Sequence, residues 1–99
     1  MYGLDAPART RLDMTLTRAD FARQIRAAFP SAREPSPGLF SGQDEGCEWS
    51  VQLQPAAPLK LGLFELERWW VDVAVLAQSA AERAQWWQRF SAHFQKGGG

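Results

Sequence analysis

The chain closes on an apolar strand that runs almost directly into an aromatic helix, and this pairing narrows the fold more than any other feature. In the segment WWVDVAVLA, Trp69, Val71, Val73 and Val75 share one parity and form a β-rich row opposite Trp70, Asp72 and Ala74. Ser79 and Glu82 then stand in capping-box spacing. With about 100° per residue, Ala80, Ala84, Trp87, Ser91 and Phe94 line the centre of one stripe of the helix that follows. Phe90 and Trp86 widen that stripe, while Glu82, Gln85, Arg89 and Lys96 face water. A strand with one apolar row and a helix with one apolar stripe must cover each other, which is the logic of an α+β domain.

A second helix is signalled upstream. Thr17 is placed to cap the amide of Asp20, Leu16 and Phe21 have staple spacing, and Phe21, Ala22, Ile25, Ala28 and Phe29 share a face before Pro30 ends the run. Residues 30–38 carry three prolines and a glycine and read as a loop. Leu39 to Gly42 gives a short strand and Gln43 to Gly46 a turn. The alternation of Cys47, Trp49, Val51 and Leu53 with Glu48, Ser50, Gln52 and Gln54 is that of a strand with one dry and one wet face. After the PAAP stretch at 55–58, Leu59, Leu61 and Leu63 change parity to Phe64 and Leu66, which predicts a bulge near 62–64 inside one strand and a reversal at Glu67 and Arg68.

The predicted architecture is therefore α+β: helix, a three- to four-stranded antiparallel β-meander, helix, with both helices packed on one face of the sheet. Helices are expected over 17–29 and 79–95, and strands over 47–54, 59–66 and 69–77. Residues 1–13 read as a mobile N-terminal leader with Met14 as an alternative start, although Leu12, Met14 and Leu16 alternate as a short edge strand would. Residues 14–96 make one domain and 97–99 a flexible glycine tail.

Charge restricts the function classes. Lys plus Arg and Asp plus Glu are both 11 in 99 residues, so the formal charge is zero, and nucleic-acid binding usually rests on a basic excess. The balance is uneven, with Lys60 against six acids over residues 34–67. No run of apolar residues is long enough for a membrane span, and Cys47 is the single cysteine, so nothing calls for an oxidising compartment. The expectation is a bacterial-type cytoplasmic protein that engages neither nucleic acid nor membrane and is a monomer or weak homodimer.

Few residues offer chemistry. Cys47 shares its parity with Trp49, Val51 and Leu53 and reads as a buried thiol. His93 has no second His or Cys at ligand spacing, so neither metal nor cofactor is expected. Glu65 with Glu67, and Asp44 with Glu45 and Glu48, read as solvated acids. No catalytic residue is assigned. Five tryptophans are many for 99 residues. Trp69 and Trp87 are assigned to the core, and Trp70 and Trp86 are expected to be partly exposed. With Arg89 and His93 on the wet edge of the last helix, they form the predicted partner-binding set of a non-catalytic protein-interaction module: an adaptor, inhibitor, immunity-type or accessory factor.

The ending Gly97-Gly98-Gly99 resembles the tails of ubiquitin-like modifiers and small bacterial sulfur carriers. That resemblance implies an alternative role as a carrier activated at the Gly98-Gly99 carboxylate, as an acyl-adenylate or thiocarboxylate. In those families the tail follows a strand of a β-grasp sheet, whereas here it follows a helix.

Overall fold

The structure, a computed structural model, describes residues 7–98, with side chains as far as Phe94. In chain order the elements are β1 (Arg9–Thr15), α1 (Arg18–Ala28), β2 (Arg33–Ser36), β3 (Leu39–Asp44), β4 (Cys47–Pro55), β5 (Leu59–Leu61), β6 (Phe64–Leu66), β7 (Arg68–Ala77) and α2 (Ala80–Gly98). The fold class is α+β as expected, with a five-stranded antiparallel sheet in the order β1-β7-β4-β3-β2 and a separate two-stranded sheet formed by β5 and β6.

The first described element is a strand rather than the expected helix. Arg9 to Asp13, expected in the leader, belong to β1, and residues 1–6 lie outside the described residues. β1 pairs with β7 from Arg9 opposite Ala74 to Thr15 opposite Arg68. Its alternation is weak because this edge strand turns only two apolar side chains inward, yet both, Leu12 and Met14, lie against the core. Residues 30–38 also contain a strand. β2 carries Pro35, which an edge strand with a bulge tolerates, and Pro37-Gly38, with φ +80° at the glycine, turns it into β3.

The third difference is the segment 59–66. The parity change is no bulge in one strand but a chain reversal: Leu61 pairs with Phe64 across the two-residue loop Gly62-Leu63. Gly62 has φ +59°, the first-position conformation that hairpin turns of type II′ reserve for glycine. The reversal expected at Glu67 and Arg68 is therefore at Gly62 and Leu63.

The core follows from strand parity. Val71, Val73 and Val75 of β7 face inward opposite Leu53, Val51 and Trp49 of β4, and Phe21, Ile25, Ala28 and Phe29 join Trp86, Trp87, Phe90 and Phe94 in the same cluster. α1 starts as read, with Thr17 Oγ1 accepting from the Asp20 amide at 3.0 Å. Gly42 leaves room for the Trp49 indole: a Cβ there would lie 2.9 Å from Trp49 Cζ2 and would also meet Ser31.

Trp86 corrects an expectation of partial exposure. It is fully buried, stacked on Phe29 at 4.7 Å and on Phe90 at 5.4 Å, with Trp87 edge-on at 5.1 Å. α2 packs against α1 as well as the sheet, so its dry stripe is wider than contact with a sheet alone would require. Trp87 is buried as expected and its Nε1 donates to the Pro7 carbonyl at 2.8 Å, while Trp69 is half-buried against the core.

Candidate functional site

The most unusual surface of the molecule is the hairpin of β5 and β6. Pro55 ends the main ladder, the Ala56 amide donates to the Arg68 carbonyl at 3.1 Å, and beyond that point the two strands continue as an arm. Leu59 pairs with Leu66 and Leu61 with Phe64, which puts four apolar side chains on one face. Lys60 pairs with Glu65 on the other. All six strand residues are exposed, Phe64 by 73%, and Leu63 at the tip is fully open at 102%. A Cβ on Gly62 would meet nothing within 4 Å. Five of the six large exposed apolar residues of the described chain are on this arm, the sixth being Leu76.

An isolated two-stranded hairpin is marginal in water, so the root of the arm is held elsewhere. Glu67 links β6 to β7, and its Oε2 accepts from the Arg18 amide and from Trp69 Nε1, both at 2.8 Å. One carboxylate thus joins the arm to the N-terminus of α1 and to the half-buried Trp69.

The outward side of the sheet is a second feature. Arg11 binds Asp72 with Nε–Oδ1 at 2.6 Å and Nη2–Oδ2 at 3.0 Å, and Arg68 binds Asp13 with Nε–Oδ1 at 2.8 Å and Nη2–Oδ2 at 2.7 Å. Both guanidinium groups lie 5.5 Å from the Trp70 ring. Trp70 is half-buried between them, and the two bidentate bonds hold the Asp13 and Asp72 carboxyls below the usual carboxylate range. Toward the opposite end of the strands, Arg9, Glu48, Ser41, Ser50, Ala74 and Leu76 surround a shallow depression of about 320 Å³.

The predicted partner-binding residues do not converge. Trp70 is outward on β7, whereas Trp86 is in the core. Arg89 reaches back to the Ala28 carbonyl through Nε and to Glu45 Oε2 at 2.8 Å through Nη1, tying α2 to the end of α1 and to the turn between β3 and β4. His93 is exposed, with Nδ1 3.1 Å from the Arg89 carbonyl. The exposed apolar cluster of Leu59, Leu61, Leu63, Phe64 and Leu66 was not singled out by the sequence. The signal was present in the parity change around Gly62, where a glycine followed by one residue separates two alternating apolar runs, as in a two-residue hairpin loop.

Cys47, Asp44 and Glu45 are engaged in structure. Cys47 is fully buried, its Sγ 3.4 Å from the Glu82 carbonyl, and burial, followed by the nearby Glu82 carboxylate, pushes the thiol pKa up. Asp44 accepts from Ser31 Oγ at 2.5 Å and Trp49 Nε1 at 3.0 Å, and Glu45 bonds Arg89. Among the described residues no three His, Cys, Asp or Glu side chains could hold a metal ion. No described helix is long and apolar enough to cross a membrane. α2 extends to Gly98, and Gly99 lies outside the described residues. No family model, curated protein or solved structure matches the chain.

Proposed function

We propose that this chain is a non-catalytic protein-interaction module that binds through the arm formed by β5 and β6. The observation that carries this reading is the concentration of exposed apolar side chains on one small hairpin, ending in the open Leu63. Surfaces of this kind on soluble folds mark binding sites, since scattered single residues are the norm elsewhere. Charge favours a protein partner over lipid: Glu65 and Glu67 flank the patch, Lys60 is the lone basic residue among six acids over 34–67, and anionic headgroups would repel such a segment. The zero formal charge of the chain argues against nucleic acid in the same way. A cytoplasmic location belongs to the same proposal and rests on the single buried Cys47.

Site-specific photocrosslinking in living cells tests this reading. With p-benzoylphenylalanine in place of Leu63 or Phe64, irradiation is expected to yield a defined protein adduct, and with the same group in place of the outward Gln52 it is not. Absence of an adduct from both arm positions overturns the assignment.

A further inference from the structure

We propose that the partner of the arm is the arm of a second copy of this chain, the two hairpins lying face to face and antiparallel so that each apolar face covers the other. The inference rests on the binding role assigned to the arm and names its occupant.

Three observations lead there. First, the apolar face contains Leu59, Leu61, Phe64 and Leu66 and no charge, because Lys60 and Glu65 point the other way, so two such faces meet without bringing like charges together or burying an ion. Second, no other exposed surface of the described chain matches it. Outside the arm the sole large exposed apolar residue is Leu76, too little to cover a four-residue face. A self-complementary patch is what a two-fold interface requires. Third, a formal charge of zero sets no long-range barrier between copies.

Size sets the strength. With exposures from 37% to 73%, the four face residues make a patch within the ~300–600 Å² seen on monomers, with Leu63 beside it at the tip. Covering two of them removes roughly 800 Å² in total, below the usual size of stable specific interfaces and in the range of weak, transient ones. The association is therefore reversible and concentration-dependent. Edge-to-edge pairing of the hairpins would leave both apolar faces wet, which is why the stacked arrangement is preferred. The antiparallel direction keeps the two domains at opposite ends of the joined arms.

The test is sedimentation of the full chain over a concentration series. The 11.1 kDa chain is expected to approach twice its mass as concentration rises. The double variant Leu63→Ser with Phe64→Ser should weaken association at least tenfold while the near-ultraviolet circular dichroism of the Trp86 and Trp49 core stays unchanged. Near the two-fold axis, Leu61→Lys and Leu61→Glu should each be monomeric alone and should associate when mixed. Three results overturn the proposal: a monomer at all concentrations, a dimer that survives the serine pair, or a mixture that stays monomeric. A monomer whose arm still crosslinks to a different protein in cells overturns this inference and leaves the binding role standing. A monomer without arm crosslinks removes both.

Discussion

Glu67 accepts a hydrogen bond of 2.8 Å from the backbone amide of Arg18, so the first residue of α1 is capped by a carboxylate from the base of the arm. The same oxygen holds Trp69 Nε1. A helix N-terminus presents unpaired amides and favours a negative group, and Glu67 satisfies one of them while Thr17 satisfies the amide of Asp20. Removing this carboxylate frees the Arg18 amide and the Trp69 indole together. Glu67→Ala is expected to cost about 1 kcal/mol in chemical denaturation, as lost caps do. It should also raise amide exchange over residues 59–66 more than in β4. Unchanged exchange in the arm would mean that its orientation is set elsewhere.

The same region shows what a single sequence conveys. Cys47 to Gln54 and Trp69 to Ala77 were legible because each turns a continuous apolar row toward one core, and α1 because Thr17, Asp20 and Pro30 mark both ends. β1 was faint because an edge strand has one neighbour and shares a short alternation with its charged outward row. The arm was read as one strand because its apolar residues are not buried, so the usual link between apolar parity and core does not hold there. Trp86 failed for a different reason: helix periodicity gives the direction of the buried stripe but not its width, which depends on a second helix whose position a sequence does not state.

The outward ladder makes stability sensitive to acid. Asp13 and Asp72 start from an ordinary value of 3.8, and the hydrogen bonds from Arg68 and Arg11 lower both in the folded state. A group whose folded pKa is depressed contributes stability that is present above its unfolded pKa and lost as pH falls through the folded one. The melting temperature is therefore expected to fall as pH drops below about 4, where the unfolded carboxyls take up protons first. Both pairs are solvent-exposed, so the effect is small and shrinks in high salt. The variant Asp13→Asn with Asp72→Asn should be slightly less stable at neutral pH and should show a flatter acid limb. An acid limb as steep as that of the parent chain would place the responsible carboxyls elsewhere.

Cys47 separates a binding module from a thiol enzyme. A nucleophilic cysteine needs an accessible thiolate, with a pKa lowered by a neighbouring base or cation. Here the side chain is fully buried opposite Ala77 in the β4–β7 ladder, its Sγ faces the Glu82 and Glu45 carbonyls, and burial and the Glu82 carboxylate favour the neutral thiol, with Arg83 opposing them weakly. Labelling of the native chain by a thiol reagent at neutral pH is expected to be slow and to accelerate on unfolding. Cys47→Ala removes one sulfur from a packed site and should cost about 1 kcal/mol, in the range of other small core truncations. It should leave arm crosslinking and self-association untouched. Rapid labelling of the folded chain would instead require an open path to Sγ and a stabilised thiolate, and the turn at Glu45 and Gly46, where both residues have positive φ, is where such an opening would have to occur.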